Sequence, residues 1–282
     1  MKSLNRYTFL GLCEDTLSYL LLLIVALFAF FPIMLIIFNA FRDPLDIWTY
    51  PPKLFSKFTF RNFIDLYNNN PGYIKGIKNS LIITGGALLI ILFCSFAASF
   101  ALSRYRGKGM QRTALFFIAI RMFPPIVVTI PLYPFLRSLG LFDRHITLMI
   151  INAAFAVSFS SLLMKTFVDD IPIELEESAM IEGCSRWRAF LNITLPLTAP
   201  GVIAVAVFGA IGVWNEYTFA FIFSSTRAIT APLAIRTLRS SEDGILWGII
   251  FAGCVVQFLP MLLAVIVTYK YRMRGLSSGA IK

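Results

Sequence analysis

Charge, histidine and organised cysteine are all scarce in this 282-residue chain. Charged residues make up 14% of it, well below the roughly one in four of an ordinary water-soluble domain. The four cysteines, Cys13, Cys94, Cys184 and Cys254, have neither CxxC nor Cys/His spacing, so neither a zinc site nor a disulfide framework is suggested. The only histidine, His145, is read as an exposed loop residue without a catalytic role. No GxxxxGK(S/T) phosphate loop occurs, so no cofactor is expected here and the chain has no visible means of cradling ATP. Energy for any uphill work must come from a partner or an ion gradient.

Hydrophobic residues are abundant, 58% of the chain with 28 phenylalanines, which marks an integral membrane protein. A bilayer core needs about 20 apolar residues per helix, and six such runs occur. They lie near Leu17 to Phe38, Ser80 to Leu102, Thr113 to Phe135, Ile146 to Met164, Gly201 to Phe223 and Trp247 to Tyr269. They are too long and continuous for barrel strands, and backbone groups in lipid must be satisfied internally, so the expected fold is all-α and polytopic. Lys2 and Arg6 precede the first run, but its apolar core is too long for a secretory signal and no small-x-small cleavage site follows, so it is read as a retained span.

The net charge of +10 is read as membrane-flanking anchorage rather than nucleic-acid binding. The loop Ser103 to Arg112 carries four basic residues and no acid, and the tail from Lys270 carries four more, which favours a cytoplasmic side for both. Arg42, Lys53, Lys57, Arg61, Lys75 and Lys78 on the opposite side nearly cancel that bias. The organisation expected is a cytoplasmic N-terminus (1–16), a first span with an external loop (17–78), a transmembrane core (79–269) containing a cytoplasmic loop (165–200), and a cytoplasmic tail (270–282).

That loop is the one charged, helix-forming stretch between long apolar runs. Glu174, Glu176 and Glu177 follow Pro172 and crowd the first turns of a helix, where its dipole favours negative charge. Gly183 is a plausible stop, and a second short helix over about Ser185 to Thr194 is expected before Pro196 breaks it. Two short helices at a glycine elbow, exposing acids and large apolar residues, suit a protein-docking surface better than a linker lying on the membrane.

The segment resembles the coupling signature of ABC importer permeases, a Glu-Ala-Ala core followed by an acid-Gly pair and a Leu-Pro-Leu-x-x-Pro close. Here it reads Glu177-Ser178-Ala179, Glu182-Gly183, then Leu195-Pro196-Leu197 and Pro200. Ser178 replaces the usual Ala and Glu182 the usual Asp, both keeping size or charge class. Arg121-Met122-Phe123-Pro124-Pro125, Leu139-Gly140-Leu141-Phe142-Asp143, Trp214-Asn215-Glu216, Trp247-Gly248 and Arg274 to Ala280 extend the likeness over roughly 79–282. Together they resemble the maltose-type sugar permeases, the tail matching the G-type member of the pair.

The resemblance implies a type I importer fold with six transmembrane helices and a cytoplasmic coupling helix pair, in a bacterial inner membrane with both termini cytoplasmic. It implies that the chain is not itself an enzyme. The implied partners are ABC ATPase subunits that bind ATP, a second permease, an external solute-binding protein and a carbohydrate or polyol. Glu177, Ser178, Ala179, Glu182 and Gly183 are the implied coupling residues.

Arg121 and Glu216 lie inside otherwise apolar runs. Ionisable groups there are costly and usually face a bundle interior, a partner or water, so both, with Asn215, are candidate pathway residues. Counting about 1.5 Å per residue puts Arg121 roughly 12 Å and Glu216 roughly 22 Å inside their runs. Purely structural roles for both remain open. A stand-alone ion-coupled carrier would also use such a carboxylate, but no inverted repeat is detectable. Pro124, Pro125, Pro131 and Pro134 must kink or break the third run. The loop around Trp48, Tyr50, Pro51 and Pro52 is an interfacial aromatic belt or a landing surface for the binding protein.

Overall fold

The computed structural model describes the backbone of residues 2–51, 57–105, 107–238 and 245–277; side chains are described for 16–47, 49–51, 57–105, 107–238, 245–266 and 268. The helices are α1 (Lys2–Ala40), α2 (Arg61–Asn69), α3 (Pro71–Arg104), α4 (Lys108–Met122), α5 (Pro125–Ser138), α6 (His145–Asp169), α7 (Ile173–Ile181), α8 (Arg186–Ala189), α9 (Leu195–Leu197), α10 (Ala199–Trp214), α11 (Thr218–Phe223), α12 (Ala231–Thr237) and α13 (Trp247–Ser277). Among the described residues four helical stretches are long and apolar enough to cross a membrane: Thr16–Ala40, Pro71–Arg104, His145–Asp169 and Trp247–Ile266. Two bent pairs bring the number to six when each pair counts as one span.

The third run is broken, as its prolines predict, and the fifth is interrupted where a continuous run was expected. The third run breaks into α4 and α5 at 90°. Phe123 and Pro124 each precede a proline, which disfavours the helical region, and both adopt extended backbone. Pro131 and Pro134 remain inside α5. The fifth run ends as α10 at Trp214, and α11 starts afresh at Thr218. Pro196 does not break the helix before it. A π-turn over Phe190–Thr194 precedes α9, the Leu195 N–H reaching back to the Phe190 carbonyl, and the chain stays helical through Pro196. The 73° bend falls two residues later, at Thr198. His145 is not a loop residue: it opens α6, half-buried, with Nε2 2.8 Å from Asn79 Oδ1.

The chain forms two compact units. One comprises residues 1–70 and 238–256, the other 71–237 and 257–282, so α13 contributes to both. In the first unit Asn62 is fully buried and donates to the carbonyls of Ala40 (2.9 Å) and Arg42 (2.8 Å), which ties α2 to the end of α1. A Cβ at Gly248 would run into the Asn62 carboxamide, which gives the Trp247-Gly248 pair a packing reason. Phe41, Phe58, Phe60 and Phe63 form an aromatic cluster beside it. Tyr50 is almost fully exposed, while Pro52 and the side chain of Trp48 lie outside the described residues, as do Ser278, Gly279 and Ala280 of the tail.

In the second unit α3 and α6 pack along their length, with α4, α10 and α12 against α3. The buried face of α3 recurs at helical spacing through Gly76, Ser80, Ala87, Ser95 and Ser99, and Leu81, Leu89 and Phe93 point outward. Small and polar residues thus recur on the inside, among Tyr73, Ile83 and Ile91, while large apolar ones also face out, which lipid allows because it solvates leucine as well as the core does. The buried serines bond their own helix: Ser99 to the Phe96 carbonyl at 2.8 Å, Ser161 to that of Val157 at 2.6 Å.

Candidate coupling elbow and translocation residues

The elbow is built by local rules. Pro172 takes an extended conformation and α7 starts immediately after it, with Glu174 and Glu176 in the first turn. α7 stops where the Gly183 N–H bonds the Met180 carbonyl (3.1 Å) and the Cys184 N–H bonds that of Ala179 (3.0 Å). This closure needs a left-handed residue, and Gly183 supplies it at φ +94°. Ser185 then caps α8, its hydroxyl accepting from the Arg188 N–H at 3.3 Å.

The acids separate into two kinds. Glu177, Ser178, Glu182 and Gly183 are exposed, and Ala179 is half-buried. Glu176 is buried: its Oε1 accepts from Arg104 Nε at 2.9 Å and from the Thr194 hydroxyl at 2.7 Å, while Arg104 also donates to the Ile171 carbonyl at 3.0 Å. The side chains of Arg104 and Glu176 are 8% and 5% exposed, so both charges depend on this pairing. Phe190 completes the anchor, its ring 4.5 Å from that of Phe96, 4.3 Å from that of Phe100 and 5.1 Å from that of Trp187. In sequence Glu176 looks like its acidic neighbours. The signals that separate it are its place one turn before half-buried Met180 and the presence of Arg104 at the end of an apolar run.

The intramembrane candidates do not form one cluster. Arg121 sits in the last turn of α4, beside the 90° break, with its guanidinium 4.8 Å over the Phe159 ring of α6. Among the described residues the ion pairs are Arg61–Asp65, Arg104–Glu176 and Lys165–Asp169, so Arg121 and Glu216 are not paired to each other. Trp214, Asn215 and Glu216 build the break in the fifth run. Buried Trp214 donates to the Gln257 carbonyl of α13 at 3.1 Å. Asn215 turns its amide back to the Ile211 carbonyl at 3.0 Å. Glu216 accepts from the Phe219 N–H at 2.7 Å and the Ala220 N–H at 3.1 Å, capping α11.

Asp143 is a functional candidate that sequence reasoning passed over. The turn after α5 closes on Gly140 at φ +65°, and Asp143 itself adopts φ +57°. Its carboxylate accepts from the backbone N–H groups of Ser225 (2.9 Å), Thr226 (3.1 Å), Arg227 (2.9 Å) and Ala228 (3.0 Å), and from the Thr226 hydroxyl (3.1 Å). Burial pushes this carboxyl up, but the backbone N–H bonds outweigh it and hold the group well below the usual carboxylate range. From α3, Lys75 Nζ donates to the Thr226 carbonyl (2.9 Å), Asn79 to those of Arg227 and Ile229 (2.8 Å each), and the Ser80 hydroxyl accepts from the Ala231 N–H (2.8 Å). The 225–231 loop is therefore fixed from two sides.

Residues 90–273 match the model of the binding-protein-dependent transport system inner membrane components. The chain belongs to that family. The matched stretch contains the elbow, Arg121, Asp143, Asn215 and Glu216, and leaves α1 and α2 outside. The chain is 30% identical to the inner membrane ABC transporter permease protein YcjP of Escherichia coli, over 93% of each chain. It is 30% identical to the trehalose/maltose transport system permease protein MalG of Thermococcus litoralis, over 95% of this chain and 99% of that one. It is 31% identical to the diacetylchitobiose uptake system permease protein DasC of Streptomyces coelicolor, over 89% of this chain and 91% of the other. Its fold is that of a chain in the crystal structure of a bacterial ABC transporter involved in alginate import, with a TM-score of 0.76 and 19% identity over 91% of this chain and 95% of that one. Membership makes the chain a multi-pass inner-membrane transport permease, not an enzyme.

Proposed function

We propose that this permease is the membrane-spanning subunit of an ATP-driven importer that translocates a carbohydrate or polyol delivered by an external solute-binding protein. The observation that carries this reading is the elbow: an anchored pair of short helices whose unpaired acids, Glu177 and Glu182, face outward around a rigid glycine turn. Such a surface suits a basic or hydrogen-bonding cleft on an ABC ATPase, which binds the ATP, so the permease needs no cofactor. A second permease completes the pathway. The elbow, the basic loop 103–112 and both termini lie in the cytoplasm, which places the 225–231 loop outside. Ser178, Ala179 and Gly183 shape the docking surface.

Arg121, Asn215 and Glu216 are proposed to border the pathway, all three at or beside helix breaks that open polar backbone within apolar runs. A stand-alone carrier would need a free titrating carboxylate, and Glu216 is already engaged by two backbone N–H groups. The relatives named for trehalose, maltose and diacetylchitobiose transport support the solute class.

Purification from native membranes tests the reading. A second permease and an ABC ATPase should accompany the chain in fixed proportion, and Gly183→Asp should remove the ATPase while leaving the chain in the membrane. A chain that purifies alone and takes up solute on a proton gradient would overturn the importer reading. A cysteine at Ser103 should be shielded from a membrane-impermeant thiol reagent in intact cells, and one at Ser225 should react.

A further inference from the structure

α3 is tied at its two ends to different parts of the second unit. At one end Arg104 holds Glu176 of the elbow, which holds Thr194 of the π-turn, and Phe96 and Phe100 hold Phe190. At the other end Lys75, Asn79 and Ser80 hold the 225–231 loop. α3 is a single helix of 34 residues, and the stretch from Asn79 to Arg104 spans about 38 Å at about 1.5 Å per residue. No proline lies inside this helix beyond Pro71 at its first position. A continuous hydrogen-bonded helix moves as one body, so a displacement at Arg104 reaches Asn79 without needing a chain of side-chain rearrangements.

We infer that Arg104, Glu176 and Thr194 are positioning residues that join the coupling elbow to α3, and that α3 carries the elbow's movement to the 225–231 loop at its far end. The inference rests on the importer reading. Glu177 and Glu182 dock the motor; Glu176 faces the other way and hands the motion inward. The buried position of the pair supports this division. A pair that only had to be soluble would lie at the surface, whereas these two charges are buried and, apart from the Arg104 bond to the neighbouring Ser103 hydroxyl, their bonds join different elements: α3 to α7, α3 to the Ile171 carbonyl and α7 to the π-turn.

The test uses the complex purified with its native partners in nanodiscs, with Cys13, Cys94, Cys184 and Cys254 replaced by alanine and Ser225→Cys as the reporter. The side chain of Ser225 makes none of the bonds that hold the loop. The rate of labelling by a soluble maleimide is compared without nucleotide and after trapping with ATP and vanadate. The unaltered elbow should change this rate about fivefold or more, the scale of a coupling between two sites. Arg104→Met combined with Glu176→Met removes the link without stranding a buried charge. That double variant should still bind the ATPase and hydrolyse ATP, with the labelling response reduced to less than about twofold.

A wild-type response in the double variant would overturn the inference, because a merely structural pair would be rescued by two apolar replacements. If the double variant fails to assemble, Thr194→Val decides. It removes one bond to Glu176 and should at least halve the response, and an unchanged response would sink the idea. Failure of the parent chain to purify with any ATPase would remove the importer reading and this inference together, whereas an intact, ATP-hydrolysing complex with an unaffected double variant removes this inference alone.

Discussion

The turn after α5 and the turn after α7 are closed by the same pair of backbone hydrogen bonds around a left-handed glycine, Gly140 in one and Gly183 in the other. Their acids are used in opposite ways. Asp143 is consumed by the molecule itself, its carboxylate filled with backbone N–H groups from 225–228. Around Gly183 one acid, Glu176, is consumed in the same manner and two, Glu177 and Glu182, are left facing solvent. A carboxylate already saturated with donors has little left to offer a partner, so the Asp143 corner is a fastening and the elbow is a fastening with a free docking face.

That contrast predicts different failures. Glu177→Lys with Glu182→Lys should abolish uptake, since reversing two charges in a docking cleft costs several kcal/mol, about a hundredfold or more in affinity for the ATPase. Membrane abundance and thermal stability should not change, because neither side chain is bonded within the fold. Normal uptake would reduce the elbow to a surface linker. Asp143→Ala should do the reverse: stranding several N–H donors costs about 1–3 kcal/mol, read as a lowered unfolding midpoint of the purified protein, with ATPase co-purification retained.

The Asp143 corner also carries a pH signature. Its carboxyl is depressed in the folded state, so its contribution is complete above the ordinary carboxylate value of 3.8 and is lost as pH falls below it toward the folded value. Asp143→Asn should flatten the stability curve in that acid window and leave its slope at neutral pH unchanged. An equal acid slope in both proteins would mean that the Asp143 carboxylate does not fasten this corner.

Glu216→Gln sits between the two cases. The amide keeps shape and one acceptor for the α11 N–H groups but gives up a charged bond, a loss of about 1 kcal/mol or less. The complex should assemble and its uptake should change; unaltered uptake would leave Glu216 as a cap alone. The smallest effect belongs to Ser185→Ala, which removes one side-chain cap from α8 and should cost about 0.5–1 kcal/mol, detected as faster amide exchange at Arg188.

What the sequence makes legible follows from the range of the forces involved. Apolar length marks the helices, and Pro-Pro at Pro124 and Pro125 marks a disruption, because both are local. Pro196 was expected to end a helix, and the widened turn over Phe190–Thr194 that lets it continue depends on Phe190 being gripped by Phe96 and Phe100, about ninety residues away. The bonds made by Glu176 and Asp143 were not legible for the same reason. Their partners, Arg104 and the 225–228 backbone, are tens of residues distant, and nothing in a helix-start acid or a turn aspartate announces a remote bond. His145, read as an exposed loop residue, takes its place from Asn79 in another helix.

The serines between α3 and α6 have one further consequence. Ser95, Ser99, Ser158 and Ser161 each return their hydroxyl to a carbonyl of their own helix, so these buried hydroxyls bond neither helix to the other, and the core they share is made by apolar side chains such as Ile83, Ile91, Leu148 and Ile151. Asn79 and His145 pin one end of the pair, and Arg104 on the Ile171 carbonyl pins the other. Among the described residues, slippage of α3 along α6 would therefore break no side-chain hydrogen bond over the middle of the contact and would be resisted there by apolar packing alone, such as Met149 set against Gly86, the geometry of a shear joint with its stops at the ends.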